Sequence, residues 1–149
     1  ATGFILFGVF SGEGGGYDVA VGFFALGQVA LFILINVYQV ITPFDVYEEI
    51  NKGNAAAGLA VGGMLTALGI ILGATVAGAF TTWGEGLSEF GIYTLFGIIL
   101  LIIFRWIIDL LFLPKTKLVD EIHRDKNIAA IAVAQGALIG VAVIISFIL

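Results

Sequence analysis

Two charged residues stand out because they lie inside an apolar stretch long enough to cross a membrane. Arg105 and Asp109 are four residues apart, so on a helix they share one face and are able to form an ion pair. A charge inside a membrane helix marks a candidate functional site, such as an ion path. Alternatively, the Arg105 side chain extends to the lipid head groups, with Trp106 beside it at the interface. Both interpretations stay open at this point.

Other side chains suited to chemistry are scarce. The sequence has no cysteine and a single histidine, His123, which lies in a charged stretch near Asp120, Glu121 and Asp125. Binding of a divalent cation or sensing of pH by His123 is less favoured than a solvated helix at the membrane interface. No nucleophile–base pair, phosphate-binding loop or metal-ligand spacing occurs in the sequence. We therefore predict no catalytic activity, no bound metal and no cofactor.

The composition defines the environment of the chain. Of its 149 residues, 60% are hydrophobic and 11% are charged, and the mean hydropathy is +1.15. A soluble domain has roughly 25% charged residues. The net charge of −5 and the absence of a basic patch exclude nucleic acid as an expected partner. The expected partner is the lipid bilayer.

Four long apolar stretches supply the membrane spans. They cover about residues 19–41, 55–80, 91–113 and 128–149, each near the roughly 20 residues that a helix needs to cross a bilayer. Helices are expected because lipid leaves backbone polar groups no partner outside the segment. The fold class is therefore an all-α integral membrane protein with four transmembrane helices.

The basic residues predict the orientation in the membrane. They occur only in or beside the first and third connections: Lys52, Arg105, Lys115, Lys117, Arg124 and Lys126. Short loops rich in lysine and arginine stay in the cytoplasm. We therefore expect a multi-pass membrane protein with the N-terminus and the C-terminus outside and the charged connections in the cytoplasm.

Three residues are candidate helix caps. Thr42 precedes Pro43 and forms a Thr-x-x-Asp pattern with Asp45, which is typical of the start of a short helix. Asn54 and Asn127 come directly before the second and fourth spans, and asparagine is among the strongest N-cap residues. We predict capping by Thr42, Asn54 and Asn127, and short interfacial helices in both charged connections.

Small residues follow one face of the second span and recur in the fourth. Glycine costs a helix about 1 kcal/mol relative to alanine, so such faces indicate close approach of another backbone. Packing between helices or subunits is the favoured interpretation, and a narrow pore is the alternative. The predicted helix-packing residues are Gly58, Gly62, Gly69, Gly73, Gly136 and Gly140.

An internal repeat organises the chain. Aligning Asn54 with Asn127 gives an offset of 127 − 54 = 73 residues, at which Ala56 meets Ala129 and Gly63 meets Gly136. The predicted units are an apolar N-terminal segment with a glycine-rich linker, a first hairpin, an outer loop and a second hairpin, at 1–16, 17–80, 81–90 and 91–149. Since each copy holds two spans, the two hairpins should be parallel repeats. The apolar run within 1–16 is too short to span and is expected to be an interfacial anchor.

These features resemble a known family. The Ile41-Thr42-Pro43 end of the first span, the segment Gly53-Asn54-Ala55-Ala56-Ala57 and the glycine-spaced span that follows are similar to the domain-of-unknown-function 350 (YjfL-like) bacterial inner-membrane proteins. The resemblance covers about residues 17–149 and leaves the N-terminal segment outside. It implies a duplicated hairpin with four spans, no established activity, and a cytoplasmic partner among envelope-stress proteins of the phage-shock type.

Two functions remain to be weighed. The favoured one is a structural or interaction protein, a small inner-membrane subunit that packs through glycine and alanine faces into a homo-oligomer or a larger membrane complex. The alternative is a small ion channel or transporter in which Arg105, Asp109 and the glycine faces line a path. Conduction of ions across a lipid bilayer separates these two functions.

Overall fold

The computed structural model describes residues 1–112 and 117–149, and this part of the chain is helical with no strand. Its helices are α1 (Thr2–Ser11), α2 (Tyr17–Ile41), α3 (Val46–Asn51), α4 (Ala55–Val76), α5 (Trp83–Phe112), α6 (Leu118–His123) and α7 (Ile128–Ser146). The long helices α2, α4, α5 and α7 are each apolar and long enough to cross a membrane. The all-α fold with four candidate spans is confirmed. That the two hairpins are copies of one duplicated unit stays a prediction.

The connection between α4 and α5 is shorter than predicted. Helix α5 begins at Trp83, so most of the expected outer loop at 81–90 is helical. Thr82 explains this early start, because its hydroxyl accepts a hydrogen bond from the Glu85 backbone N–H while the Glu85 carboxylate accepts one from the Thr82 hydroxyl. The Thr-x-x-Glu sequence is that of a capping box and is readable from the sequence, although the Glu85 carboxylate here binds the Thr82 hydroxyl rather than its backbone N–H.

Helix α4 is the centre of the bundle. It packs against α7 most extensively and also against α1, α2 and α5. Small side chains allow these neighbours to approach closely, and Ala56, Ala60 and Ala67 are fully buried. On the face that meets α7, the Gln135 side chain fills the space beside Gly63. In lipid such contacts stabilise the bundle through van der Waals packing rather than through burial from water.

Helix α1 lies in the bundle and is not the predicted interfacial anchor. It runs along the side of α4: Ala1 lies beside Gly69, Phe4 beside Gly73, and Gly12 beside the end of α4 at Val76. A Cβ atom added at Gly73 would lie 2.5 Å from the Phe4 carbonyl oxygen. The absence of side chains on this face of α4 explains why ten apolar residues dock here instead of lying on the membrane surface.

The two ends of the bundle differ in character. The linker end, defined by residues 12–16 and 77–82, carries an aromatic cluster in which Phe23 contacts Phe80, Trp83 and Phe90. The cap end, defined by α3, α6, Asn54 and Asn127, carries buried polar side chains. The two short helices predicted in the charged connections are present there as α3 and α6.

Candidate functional site

Asn54 is the centre of a buried polar network at the cap end. Its Oδ1 accepts hydrogen bonds from the backbone N–H groups of Ala56 and Ala57, which caps α4. Its Nδ2 donates to Glu49 Oε2 at 2.8 Å and to the Ile122 carbonyl oxygen at 2.8 Å. Asn54 therefore uses its amide three ways: it caps a helix, holds a carboxylate and joins two distant parts of the chain.

Asn127 makes similar contacts at the start of α7. Its Oδ1 accepts from the Ala130 N–H, and its Nδ2 donates to Glu121 Oε2 at 2.8 Å. The backbone N–H of Asn127 donates to the Glu121 carbonyl oxygen, as that of Asn54 donates to the Glu49 carbonyl oxygen. In both places an asparagine caps a long helix and binds the glutamate of the short helix before it. Asn54 follows Glu49 by five residues and Asn127 follows Glu121 by six. A one-residue gap therefore aligns the two glutamates when the asparagines are aligned.

Contacts across the two connections lock α3 to α6. His123 Nδ1 lies 3.4 Å from Glu49 Oε1, and the His123 ring stacks on Phe44 with their centroids 5.0 Å apart. Together with the bond from Asn54 to Ile122, these contacts tie the first charged connection to the second. His123 is exposed, as expected of a solvated helix, and its partners come from 70 or more residues earlier in the chain.

Glu49 is a buried carboxylate with several polar partners in this network. It is 5% exposed and lies in reach of Lys52 and His123. The hydrogen bond from Asn54 lowers the pKa of Glu49 below its usual value; burial opposes this shift, and the positive charges of His123, Lys126 and Lys52 support it. The network therefore stabilises an ionised carboxylate at a buried position.

Lowering the pH is expected to destabilise the protein through Glu49. Because the pKa of Glu49 is lower in the folded than in the unfolded chain, its contribution is complete above the unfolded value of 4.5 and is lost as the pH falls below it. The Glu49→Gln variant should show a smaller loss of unfolding free energy across this range. Denaturant unfolding in detergent between about pH 3 and pH 7 measures this. The exposed neighbour Glu48 gives the control Glu48→Gln, and an equal effect of both variants would contradict the prediction.

Arg105 and Asp109 do not form the predicted ion pair. The Arg105 guanidinium lies over the Tyr38 ring, 4.6 Å from its centroid, and Asp109 Oδ1 accepts a hydrogen bond from the Leu118 N–H. Arg105 is also 8% exposed in this bundle, so its side chain does not extend freely from the helix. A cation over an aromatic ring is a stable alternative to an ion pair where water is excluded. Each charge thus joins α5 to a different element, Arg105 to α2 and Asp109 to the start of α6.

Two of the three predicted cap residues cap a helix in the structure. Asn54 and Asn127 are the N-cap residues of α4 and α7. The N-cap of α3 is Asp45, whose Oδ1 accepts from the Glu48 N–H, whereas Thr42 is the residue after the end of α2. The predicted capping role of Thr42 therefore falls to Asp45. Residues 42–45 are not helical, so α3 begins at Val46 and the side chain directly before it, Asp45, is the cap.

The predicted packing glycines fall into two groups. Gly69 and Gly73 contact the backbone of α1. A Cβ atom added at Gly58, Gly62, Gly136 or Gly140 would meet no other atom within 4 Å. Other glycines that were not singled out also pack closely, among them Gly8 on Gly73, Gly27 on Ile5 and Gly63 on Gln135.

The fold and this network define a class of protein: a polytopic helical membrane protein whose cap end carries two asparagine–glutamate pairs, of which Asn54–Glu49 is buried and Asn127–Glu121 is partly buried. Among the described residues, no group of three or more side chains suited to a metal ion occurs. Comparison with known families shows to which family of membrane proteins the chain belongs. The family model of the domain of unknown function DUF350 matches residues 2–149, and the chain belongs to this family.

The family match also includes α1, which the motifs of the sequence had left outside. The chain is similar to the UPF0719 transmembrane protein YshE of Bacillus subtilis (strain 168). The two are 28% identical over 105 residues, which cover 70% of this chain and 74% of that protein. No solved structure matches the chain significantly.

Proposed function

We propose that this protein is a structural or interaction subunit of the membrane that forms an oligomer through its open glycine faces. The observation that carries the proposal is the division of the predicted packing glycines. Each glycine costs its helix about 1 kcal/mol relative to alanine. Gly69 and Gly73 offset that cost by contacting α1, whereas Gly136 and Gly140 on α7 are exposed and contact nothing within the chain. A second subunit seated on α7 would account for them.

The test is the oligomeric state in a mild detergent and in lipid nanodiscs. We expect a homo-oligomer that Gly136→Leu and Gly140→Leu each convert to monomers, because a leucine holds the partner helix away. Neither substitution should disturb the monomer, since there is open space at both positions. The control is Gly91→Leu, an open glycine of α5 outside the predicted faces, which should leave the oligomer intact. A monomeric native protein would contradict the proposal.

Ion conduction is the alternative function, and the contacts of the two charges do not favour it. Arg105 packs on Tyr38 and Asp109 holds the start of α6, so both side chains have structural partners. The purified protein in liposomes is therefore expected to conduct no ions. Robust flux that is lost in Arg105→Leu and Asp109→Leu would instead support a channel or transporter.

We further propose that the cap end faces the cytoplasm of an inner (cytoplasmic) membrane and that the linker end and the C-terminus lie outside. Ala1 lies beside Gly69, between the two ends, rather than at the outer end that the basic residues predicted. The described basic residues support this orientation because Lys52, Arg124 and Lys126 lie at the cap end, which the preference for cytoplasmic lysine and arginine places inside. The charged surface of α3 and α6 would then be available to a cytoplasmic partner, of which the envelope-stress proteins implied by the family resemblance are candidates. A reporter fused after Leu149 that reads cytoplasmic would contradict the orientation.

A further inference from the structure

A cavity of about 70 Å³ opens at the linker end of the bundle. It lies between the beginning of α2, the end of α4 and the beginning of α5, beneath residues 12–16. Its apolar wall includes Val19, Phe23, Val76, Phe80 and Phe90. Two carboxylates, Glu13 and Glu89, also line it. The cavity therefore combines an aromatic wall with negative charge, at the end of the molecule opposite the polar network.

The backbone around the cavity is held in place on both sides. The Phe80 N–H donates to the Glu13 carbonyl oxygen at 2.8 Å. Gly14 has a φ of +83°, and a Cβ atom there would lie 2.9 Å from the Phe80 carbonyl oxygen. Glycine is favoured at this position because it adopts positive φ readily and leaves room for Phe80. The linker thus folds over the end of α4 and holds Glu13 at the cavity.

The opposite wall is fixed by the first turns of α5. A Cβ atom at Gly86 would lie 2.9 Å from Phe23 Cζ, so this turn of the helix lies against the aromatic cluster. Glu89 follows three residues later and shares that face of α5. Since the capping box at Thr82 sets the start of α5, it also sets the position of Glu89 at the cavity.

The linker end carries only negative side-chain charge. The acidic residues in or next to it are Glu13, Asp18, Glu85 and Glu89. No lysine, arginine or histidine occurs in residues 1–51 or 53–104. Glu85 accepts hydrogen bonds from the Thr81 and Thr82 hydroxyls. At the boundary of a low-dielectric bundle, uncompensated carboxylates beside an apolar cleft attract cations.

The wall decides which cation fits. Calcium takes about six to eight oxygen ligands and magnesium about six, part of them water, whereas the wall of this cavity is largely aromatic and aliphatic. Aromatic and aliphatic walls with carboxylates at the mouth suit an ammonium group that carries an apolar body. A volume of about 70 Å³ accommodates such a head group, since a water molecule occupies about 30 Å³ in the liquid.

We propose that this cavity binds the ammonium group of an organic cation, either a free alkylamine or the amine head group of a phospholipid. Glu13 and Glu89 supply the countercharge, and Phe23, Phe80 and Phe90 contact the apolar part. The site lies within one chain, so it holds whether or not the chain forms an oligomer. Binding and oligomeric state are therefore tested independently.

Trp83 reports on the cavity directly. Its ring stacks on Phe23 with centroids 5.9 Å apart, and the other tryptophan, Trp106, lies far along α5. In the full chain carrying Trp106→Phe, titration with butylammonium should change the Trp83 fluorescence saturably. The neutral analogue butan-1-ol should bind at least ten times more weakly. Equal binding of the two would overturn the proposal, because the carboxylates would then contribute nothing.

Variants test the countercharges. Glu13→Gln and Glu89→Gln should each raise the Kd for butylammonium at least fivefold, and both are exposed substitutions that leave the bundle folded. Asp18→Asn removes one negative charge from the same end without touching the cavity and should change the Kd less than twofold. If all three variants weaken binding equally, the effect is a general surface potential and the specific site is refuted.

The source of the amine is found by competition. In dodecyl maltoside micelles, added phosphatidylethanolamine should weaken butylammonium binding if the lipid head group is the natural occupant, whereas phosphatidylglycerol should not. If neither lipid competes while butylammonium still binds through Glu13 and Glu89, the occupant is a soluble amine. Failure of butylammonium to bind in lipid-free detergent would overturn the proposal.

Discussion

Replacing Asn54 by alanine is expected to lower the free energy of unfolding by about 3 kcal/mol, the largest effect of any polar substitution in the network. The variant loses the cap of α4, leaves the buried Glu49 carboxylate without its amide donor and removes the bond to Ile122. A lost cap alone costs about 1 kcal/mol. The rest comes from a buried charge whose partner is gone. Denaturant or thermal unfolding of the purified protein in detergent measures the difference.

Two further substitutions separate these contributions. Asn54→Asp retains an acceptor for the cap but loses both donated bonds and places a second carboxylate beside Glu49, so it should also be strongly destabilising above pH 5 or so. Asn127→Ala loses a cap and the bond to Glu121 at a more exposed position, and should cost less than Asn54→Ala. Equal costs for Asn54→Ala and Asn127→Ala would show that the contact with Ile122 contributes nothing.

Replacing Gly73 by alanine is expected to destabilise the docking of α1 by about 2 kcal/mol. The added Cβ atom would lie 2.5 Å from the Phe4 carbonyl oxygen and 3.0 Å from its carbon, and backbone atoms cannot turn aside as a side chain can. Helix α1 must then move away from α4. A cysteine introduced at Ile5, which is fully buried in the native protein, should become reactive to maleimide in the Gly73→Ala background.

The control is the Gly91→Ala variant, for which we expect no loss of stability. Gly91→Ala adds the same methyl group to a helix where no atom lies within 4 Å, so it should be neutral or stabilise α5 by up to about 1 kcal/mol through helix propensity. Because the chain has no native cysteine, the maleimide signal in either background comes from position 5 alone. Destabilisation by Gly91→Ala equal to that by Gly73→Ala would show that close packing of α1 is not the cause.

Local patterns in the sequence predicted much of the cap end. Asn54 and Asn127 precede long apolar runs, and a cap depends only on the residue and the first turn that follows it. The two glutamates that bind the asparagines align in the sequence with a one-residue gap, but their role could not be predicted because the bond from the cap amide depends on how the short helix folds back on the start of the long one. Thr42 shows the limit of a local pattern, since the helix begins three residues later than predicted and Asp45 satisfies its first turn.

Other contacts could not be predicted because they join residues far apart in the chain. Arg105 and Asp109 satisfied the spacing for an ion pair, yet the Arg105 guanidinium lies over the Tyr38 ring and the Asp109 carboxylate accepts a hydrogen bond from the Leu118 N–H. Spacing on one helix says which groups are able to meet, whereas the neighbouring helices decide which groups do meet. The same applies to His123, whose partners on and beside α3 depend on how the two connections approach each other.

By itself, the sequence determined that this protein is a membrane protein of four long helices, because length and hydropathy are sums over neighbouring residues that no tertiary contact changes. Only the tertiary structure decided how Arg105 and Asp109 are used, that α1 covers Gly69 and Gly73, and that Gly136 and Gly140 stay open. The physical reason is that a glycine face allows close packing and a lone charge needs a partner, but neither determines which residue makes the contact. The packing of α1, α2, α5 and α7 around α4 selects that partner.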